Sequence, residues 1–421
     1  RFSSGGTPER RMASSAEESK AKKPGALRYA QYPHVSPDEL SMLTRLVQNI
    51  YPYFKKTPLL TRKHDLRKVA GIAVEKELEG DFFWAIDFEP EFYTELFYNG
   101  FLPIATRLSP FPPQGLEKRI NAIIPSLTDH VAKSKGLCVL MPKLHKKRSL
   151  VQNWDTIHVG KNARKRAKKY QISFDLAIDT VIDGCVEQHG EDWLYPPVQD
   201  AFRSLNRKPV TRRRKSGGQE PGAVRVHSIE LWEDEKIVAG ELGYSFGQVY
   251  TSLTGYYIKD STGTIQMLAM AGLLKKAGYQ LWDLGMTLKY KEDMGAREAP
   301  RGKFVERLHQ LRDLPSPAGT LPIGKKVNAR VAIDFLRDSG SRTEQKDESK
   351  SSTQTDSRVA KGQKNKKKQK QLNTKTKGSC STGKRPLHSN EGEAPVGKAA
   401  KVKSKKLSDT KEQVEGIRSA S

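Results

Sequence analysis

The segment between residues 225 and 285 restricts the fold of this chain more than any other part of the sequence. It holds three short runs rich in β-branched and aromatic residues, which are Arg225–Trp232, Ile237–Phe246 and Gln248–Tyr256. The turn segments Glu233–Lys236 and Gly247 separate these runs. Turns this short join neighbouring strands that run in opposite directions, so the pattern predicts an antiparallel meander.

The residues that follow the meander predict a helix and one more strand. Apolar side chains recur at helical spacing over Thr264–Ala277, and Lys275, Lys276 and Gly278 are typical of a helix C-terminus. Tyr279–Gly285 then predicts a strand. Strands, a helix and a strand in this order predict an α+β domain with a mostly antiparallel sheet.

Further elements are predicted before the meander. Ser36 is typical of a helix N-cap, with Pro37 and two acidic residues in the first turn, and this helix is expected to reach about Ile50. Gly136–Pro142 is an apolar run between glycine and proline and predicts a buried strand. Three more predicted elements are a helix within Pro90–Gly100, a strand at Ile172–Leu176 and a helix at Asp179–Gln188.

The two ends of the chain differ in composition from its centre. The 421 residues carry a net charge of +26, of which +11 falls on residues 338–421, a segment without Phe, Tyr or Trp. Such a segment cannot offset the entropy cost of ordering, so a disordered basic tail is predicted there. Its lysine clusters suit nuclear import or an RNA-binding arm, and a merely solvated tail fits equally. Residues 1–33 are rich in Ser, Gly and charged residues and are also predicted to be disordered.

Two folded domains are predicted between these ends. Residues 34–150 are expected to form a smaller N-terminal α/β domain, and residues 151–337 to form the α+β domain that contains the meander. Proline, arginines and paired glycines near residues 207–223 predict an exposed insertion in the second domain.

Composition also excludes several classes of protein. No apolar run approaches the roughly 18 residues of a membrane-spanning helix, so no membrane association is predicted. Cys138, Cys185 and Cys380 form no C-x-x-C pair, which excludes a disulfide scaffold and a cysteine-rich zinc site. His145 and His227 lack a partner at metal-ligand spacing, so no metal is predicted. The positive charge predicts a polyanionic partner, most simply nucleic acid.

Several motifs occur in a fixed order between about Glu79 and Leu311. The clearest is His227–Trp232, which reads His-Ser-Ile-Glu-Leu-Trp. In residue type and order, the motifs resemble those of the leucyl/phenylalanyl-tRNA–protein transferases, whose His-Ser-Ile-Glu-x-Trp is matched almost letter for letter. The other matching stretches are Phe97–Pro103, Arg164–Tyr170, Phe174–Cys185, Asp192–Leu194, Ile237–Gly243 and Met294–Arg301.

This resemblance implies a fold and a reaction. The catalytic half of such transferases has a GNAT-like (acyl-CoA N-acyltransferase-like) fold. They move Leu or Phe from an aminoacyl-tRNA to the N-terminal amine of an acceptor protein or peptide, a step in N-degron protein catabolism. The chemistry is aminolysis of an ester, which requires positioned substrates, a group that handles the amine proton, and donors to the developing oxyanion. No cofactor is implied.

The resemblance places the catalytic acid at Asp283. The family has Asp-x-Gln at this strand end, and here Gly285 stands in place of the Gln. Leu253 stands where the family has a Glu on another strand. These departures predict a changed donor or acceptor, or a loss of activity. Without the family, an acid before a glycine at a strand end is also typical of a turn or a helix cap.

Polar and aromatic side chains around these positions are the predicted substrate contacts. Ser252 and Thr254 alternate with Leu253 on one strand, so their hydroxyls are expected on one face, where they could bind an amine or a carbonyl. Cross-strand pairing of residues that favour strands explains them equally well. Trp193 is a candidate stacking platform for the terminal adenosine, with a packing role as the alternative. The whole predicted set is Trp193, Glu230, Trp232, Tyr250, Ser252 and Thr254.

Two basic clusters within the folded region are predicted to contact the tRNA backbone. Phosphate contacts of this kind make binding depend on salt and not on nucleotide sequence. A solvated helix face is the alternative explanation for such runs. The predicted contacts are Lys143, Lys146, Lys147, Arg148, Arg164, Lys165, Arg166, Lys168 and Lys169.

Two other functions stay open on the sequence. A GNAT-type acyltransferase that uses acyl-CoA would need a glycine-rich phosphate loop before the long helix, and Lys259–Thr264 contains a single glycine. A non-catalytic RNA-binding protein would fit the missing Glu and Gln, whereas Asp283 favours an enzyme. The expected compartment is the cytoplasm; the basic tail would suit the nucleus, and a transit peptide at the start would suit an organelle.

Overall fold

The computed structural model describes residues 36–108, 116–127, 131, 136–190, 193–210, 223–319 and 321–337. The disorder predicted for residues 1–33 and 338–421, and most of the insertion predicted near 207–223, lie outside the described residues. The division into domains at residue 150 stays a prediction. Among the described helices, none is long and apolar enough to cross a membrane.

The first part of the chain forms helices and a small separate sheet, in which β1 and β2 pair antiparallel. The helix predicted from Ser36 is confirmed, and it starts with a capping box: the Glu39 amide donates to the Ser36 hydroxyl and the Ser36 amide donates to the Glu39 carboxylate. The buried strand predicted at Gly136–Pro142 is β2. The elements are α1 (Pro37–Ile50), α2 (Tyr53–Lys56), α3 (Leu66–Glu75), α4 (Pro90–Tyr98), β1 (Leu102–Leu108), α5 (Leu116–Ile123), β2 (Leu137–Lys143) and β3 (Lys147–Val151).

The second part supplies most of the main sheet and the helices on its two faces. The meander, the helix and the strand predicted between residues 225 and 285 are all confirmed. The elements are α6 (Lys161–Arg166), β4 (Tyr170–Phe174), α7 (Ile178–His189), α8 (Pro196–Arg207), β5 (Arg225–Glu233), β6 (Lys236–Phe246), β7 (Val249–Tyr257), α9 (Thr262–Ala277), β8 (Leu281–Asp283), α10 (Lys289–Met294), β9 (Arg297–Pro300), α11 (Arg301–Leu311), β10 (Val327–Asn328) and α12 (Ala329–Asp334).

The main sheet has eight strands in the order β10-β4-β5-β6-β7-β8-β3-β9. Its neighbouring strands are antiparallel except for β7 and β8, which are parallel. The exception follows from the connection, since α9 crosses over between these two strands and returns the chain in the same direction. The prediction of an α+β fold with a mostly antiparallel sheet is therefore confirmed, and its GNAT-like character stays a prediction.

Apolar side chains cover both faces of this sheet. On one face, Val181 and Ile182 of α7 are buried in a core that also includes side chains from α8 and from the first part of the chain. On the other face, Ile265 and Leu268 of α9 are buried together with Ile333 of α12. Most sides of α9 are buried, and the Thr262 hydroxyl in its first turn donates to the Val238 carbonyl oxygen of β6 at 3.2 Å, so this turn is fixed against the sheet.

Candidate active site

A cavity of about 540 Å³ opens where β7 and β8 separate. The two strands pair only between Val249–Thr251 and Leu281–Asp283. Beyond that point β7 continues to Tyr257, whereas the chain turns away after β8, so a cleft forms at the carboxyl ends of two parallel strands. The residues that line it include Glu241, Ser252, Leu253, Thr254, Gln266, Met267, Leu284, Tyr290 and Lys291.

A β-bulge separates the two hydroxyls that were predicted to act together. The pairing of β6 with β7 shifts by one residue between Ser252 and Thr254, which leaves Leu253 as the extra residue. Ser252 donates to the Glu241 carboxylate at 2.6 Å, whereas Thr254 hydrogen-bonds the Cys185 thiol of α7, on the other face of the sheet. The expectation that Ser252 and Thr254 share a face is therefore wrong, because the bulge interrupts the alternation of a regular strand. Both still line the cleft, which reaches through the opening between the strands.

Glu241 of β6 is the buried carboxylate of the cleft. The residue is 5% exposed, and its two oxygens accept hydrogen bonds from the Ser252 hydroxyl at 2.6 Å and from the Gln266 amide at 3.3 Å. Burial raises the pKa of Glu241 to about 7, against the lowering effect of these hydrogen bonds and of Lys291. A carboxyl group with this pKa can take up and return a proton near neutral pH.

Lys291 of α10 supplies a positive charge to the same cleft. It is 9% exposed, and its ammonium group donates to the carbonyl oxygens of Leu284 at 2.5 Å and Met286 at 3.0 Å. Burial lowers the pKa of Lys291, and the nearby carboxylates of Asp283 and Glu241 act in the opposite direction. The cleft thus combines one buried acid and one buried base, each held by fixed polar neighbours.

Asp283, the predicted catalytic acid, lies behind the cleft. The residue is fully buried and does not line the cavity. One carboxylate oxygen accepts from the Gly285 amide at 2.8 Å, and the other accepts from the Thr251 hydroxyl at 3.4 Å and lies 3.1 Å from a guanidinium nitrogen of Arg148 in a buried ion pair. A residue enclosed in this way reaches a substrate only indirectly, through the turn it fixes and through its field at Lys291.

Arg148 differs from the other predicted tRNA contacts because it has no exposed surface. Its guanidinium donates to the Gly100 carbonyl oxygen and lies 4.4 Å from the centre of the Phe304 ring. Its place in the predicted tRNA-binding set is therefore wrong for this conformation, since a backbone phosphate cannot reach the buried group. Arg148 instead provides the charge that accompanies Asp283 in the interior.

Gly285 occupies the turn that leads out of β8. Its φ is +70°, a backbone conformation that residues with a Cβ rarely adopt, although a Cβ there would make only ordinary contacts, with the Leu102 side chain at 3.8 Å and the Ser252 carbonyl oxygen at 4.0 Å. The amide donates to Asp283 and the carbonyl oxygen accepts from the Ser149 amide at 2.8 Å. The turn therefore accounts for the glycine at this position.

Glu230 and Trp232 hold neighbouring elements together at a distance from the cleft. The fully buried Glu230 carboxylate accepts from the Ser173 hydroxyl at 2.5 Å and from the Ala177 amide, just before α7, at 3.0 Å. The indole of Trp232 donates to the same Ser173 hydroxyl at 2.7 Å. Neither predicted substrate contact lines the cavity. Their motif thus fixes β5 against β4 and α7.

His227, from the same motif, bridges two buried polar groups. Its ring nitrogens lie 2.9 Å from the Asp175 carboxylate and 2.8 Å from the Ser245 hydroxyl. Tyr250 stacks on this ring with 6.0 Å between centroids and is itself fully buried. Trp193 packs against Phe202 with centroids 6.2 Å apart. Tyr250 and Trp193 therefore make packing contacts and do not line the cleft.

Part of the basic cluster at residues 164–169 adjoins the cleft. Lys165, Arg166 and Lys168 are exposed at α6 and the single turn after it, and we name these three residues the basic ridge. Arg166 donates to the hydroxyl of Ser261 at 3.1 Å, and Ser261 lines the cavity. The basic ridge thus meets the rim of the cleft.

The remaining predicted cations lie in ion pairs or elsewhere on the surface. Arg164 pairs with Asp334 at 2.7 Å and Lys169 with Glu233 at 2.6 Å. The other basic cluster, at residues 143–148, lies on β2, β3 and the turn between them. In this cluster, Lys143 is half-buried near Asp81, Lys147 pairs with Glu298 and Lys146 is exposed.

No group of three or more His, Cys, Asp or Glu side chains within the described ranges is arranged to hold a metal ion.

The sequence did not single out Glu241, Gln266 or Lys291. A signal existed for the first two, since each is a polar residue inside an otherwise apolar stretch: Glu241 within β6 and Gln266 within α9. Buried polar residues in such stretches need partners, and here they are partners of each other. Lys291 gave no comparable signal, because a lysine in a short charged helix is typical of a solvated surface.

Comparisons with known proteins cover the part of the chain that forms this site. The model of the family described as leucyl/phenylalanyl-tRNA protein transferase matches residues 151–309, a span that contains the cleft and the basic ridge. The resemblance seen in the sequence is therefore confirmed for this span.

Curated relatives extend the comparison. The leucyl/phenylalanyl-tRNA–protein transferase of Stutzerimonas stutzeri is 28% identical over 169 residues, which covers 39% of this chain and 68% of the relative. The corresponding protein of Ectopseudomonas mendocina is 25% identical over 170 residues, covering 39% and 69%. The one from Shewanella baltica is 27% identical over 169 residues, covering 39% and 65%.

Among solved structures, the C-terminal DUF2156 domain of an Agrobacterium fabrum protein aligns with 64% of this chain and 68% of that chain. The sequence identity is 13% and the TM-score is 0.19, a likeness too low to support a fold assignment.

Proposed function

We propose that this chain is an aminoacyl-tRNA–protein transferase, which moves an amino acid from charged tRNA to the N-terminal amine of a protein or peptide. The family match supports this reaction class, since it covers the residues that form the cleft. The cleft itself is a partly apolar cavity with two convergent charged groups, an arrangement typical of sites for small reacting groups.

The observation that carries the proposal is the contact between the basic ridge and the cleft. Arg166 reaches Ser261 at the rim, so phosphates held along the ridge would bring the end of a nucleic acid to the cavity. An aminoacyl ester at that end would then enter the space between β7 and β8. A binding protein without catalysis would have no need for a buried carboxylate and ammonium in the same cavity.

The finer assignment is the leucyl/phenylalanyl type with a role in N-degron protein catabolism in the cytoplasm. The names of the relatives support this donor class. The apolar walls at Leu253, Met267 and Leu284 would suit an apolar donor side chain. Leu253 and Gly285, which replace polar family residues, are the positions at which the donor or acceptor preference would differ.

The experiment is a transfer assay with an open choice of substrates. The purified chain is incubated with a mixed pool of charged tRNA and with peptides of varied N-termini, and the peptides are followed by mass spectrometry. We expect a mass gain of one amino acid residue that depends on charged tRNA and is absent with uncharged tRNA. A gain only with acyl-CoA would instead assign a GNAT-type acyltransferase, and tRNA binding without any mass gain would leave a non-catalytic RNA-binding protein.

A further inference from the structure

The proposed transfer requires two groups in contact with the reacting atoms. One must take a proton from the attacking amine, and the other must stabilise the negative oxygen that develops on the ester carbonyl. Asp283 is enclosed behind the cleft, so the structure must provide the proton acceptor from elsewhere.

Two charged side chains line the cleft while being at least nine-tenths buried. Glu241 is fixed by Ser252 and Gln266, and Lys291 is fixed by two backbone carbonyl oxygens. They project from different elements, β6 and α10, into one cavity and lie close enough for each charge to affect the other. Held groups of opposite charge are suited to a reaction that moves a proton and creates an oxyanion.

Resting on the function proposed above, we infer that Glu241 is the proton acceptor of the transfer and that Lys291 stabilises the oxyanion. The amine nitrogen attacks the ester carbonyl carbon and forms the C–N bond, while the Glu241 carboxylate takes the N–H proton. The Lys291 ammonium faces the negative oxygen of the tetrahedral intermediate. When the C–O bond to the ribose breaks, Glu241 returns the proton to the ribose oxygen, which leaves an amide, a free hydroxyl on the tRNA and the original carboxylate.

Other titratable groups at the cleft are less suited to this step. Asp260 is exposed at the rim, where water solvates its charge. His189 is also exposed, so its ring is open to water, and its Nε2 donates to the Gly255 carbonyl oxygen at 2.8 Å. Glu241 is the one carboxylate that both lines the cavity and is shielded from water in the described part of the chain.

The neighbours of Glu241 indicate that the pH dependence of transfer near neutral pH comes from this group. The titratable groups that interact with it electrostatically are Cys185 from α7, Tyr250 from β7, and Tyr290 and Lys291 from α10. Burial raises the pKa of the cysteine and of both tyrosines, so these three are uncharged at neutral pH. Lys291 is then the only charged neighbour among them.

The test compares pH profiles of transfer between variants. We expect kcat/KM of the wild type to rise through about pH 7, and Glu241→Gln to lose this rise and to fall by roughly 10²-fold or more. The amine of the acceptor titrates near pH 8 in every variant and so cancels in the comparison. Glu292→Gln is the matched control, because this exposed residue lies beside Lys291 and loses the same charge; it is expected to keep the wild-type profile.

Two further variants complete the test. Lys291→Met is expected to lower kcat with little change in KM, and Lys291→Arg to recover part of the loss, since a positive charge returns. If Glu241→Gln keeps the wild-type rate and profile, or if His189→Asn removes the rise instead, the assignment is overturned while the transferase stands. If the wild type transfers nothing to any peptide, the proposed function fails and the assignment fails with it.

Discussion

Asp283 and Glu241 are two buried carboxylates near the cleft that differ in their surroundings. Asp283 has a cationic partner, Arg148, and a backbone amide, and it is closed off from the cavity. Glu241 has mainly neutral partners and faces the cavity, so the cost of burial dominates its pKa. The first arrangement pairs a buried carboxylate with a buried cation, and the second leaves a carboxylate that a proton can neutralise near neutral pH.

The ionised Glu241 carboxylate is expected to lower the unfolding free energy of the protein. Its pKa is raised from an ordinary value of 4.5 to about 7, so the stability it contributes at low pH is lost as the pH rises between these values. The side chain of the Glu241→Gln variant cannot ionise. At pH 8 the unfolding free energy of this variant should therefore exceed that of the wild type by on the order of 1 to 3 kcal/mol. Urea unfolding at about pH 5 and pH 8 measures this. An equal difference at both pH values would contradict the raised pKa.

Whereas Glu241→Gln should raise the unfolding free energy, breaking the ion pair of Arg148 and Asp283 should lower it. Arg148→Met leaves the Asp283 carboxylate buried without its partner, which should cost about 3 to 5 kcal/mol of unfolding free energy. Lys147→Met is the control, since this neighbour pairs with Glu298 at the surface and its removal should change stability little. A small effect of Arg148→Met would show that the pair does not hold Asp283.

Secondary-structure elements were predicted well wherever the pattern is local. The meander, α9 and α1 followed from turn residues, apolar spacing and capping residues, all of which act over a few positions. The bulge at Leu253 was missed, because alternation of side chains was assumed through Ser252 and Thr254. One extra residue on β7 has no sequence signal here, yet it places the two hydroxyls on opposite faces.

The turn after β8 gives a prediction at this scale. Gly285→Gln introduces the residue that the resemblance predicts at this position but forces a side chain into a positive φ, which should cost about 1 to 3 kcal/mol and should not increase transfer. Gly80→Gln serves as the control, because that glycine has an ordinary φ and open space around it. Thermal unfolding and the transfer assay together measure both effects. Higher activity in Gly285→Gln would mean that this position is catalytic.

The basic ridge is expected to provide tRNA affinity as one unit. Replacing Lys165, Arg166 and Lys168 by alanine should weaken tRNA binding and flatten its salt dependence, by about 0.7 to 0.9 in log–log slope for each phosphate that the protein no longer neutralises. The matched control replaces three exposed lysines elsewhere, Lys55, Lys56 and Lys68. Titrations at several salt concentrations measure the slope. Equal weakening in both triple variants would indicate general attraction rather than a site.

At the scale of the whole molecule, charge and topology decide what the sequence could show. The net charge predicted a polyanionic partner, but it could not show that Arg148 is internal, since its partner Asp283 is far away along the chain. The cleft depends on where the ladder between β7 and β8 stops, and this is set by the crossover through α9. Glu241 and Lys291 meet only after that topology has formed.

The distribution of charge also predicts which part of the chain binds tRNA. Residues 1–337 carry +15 of the net charge of +26, and they include the basic ridge. A chain that ends at Arg337 should therefore keep most of its tRNA affinity at physiological salt, because specific phosphate contacts are retained. Fluorescence anisotropy with labelled tRNA measures this. A loss of most of the affinity would place the main contacts within residues 338–421.

The most direct measurement of the central claim is transfer by a chain whose cleft has been filled. Gly263 lines the cavity with an ordinary φ, and a Cβ there would make an ordinary 3.4 Å contact with the ring of Tyr257. Gly263→Trp should therefore fold, keep its tRNA affinity and lose transfer of the amino acid to peptides, while the wild type adds one residue. Undiminished transfer by Gly263→Trp, measured by peptide mass under the same conditions, would contradict the claim that the reaction takes place between β7 and β8.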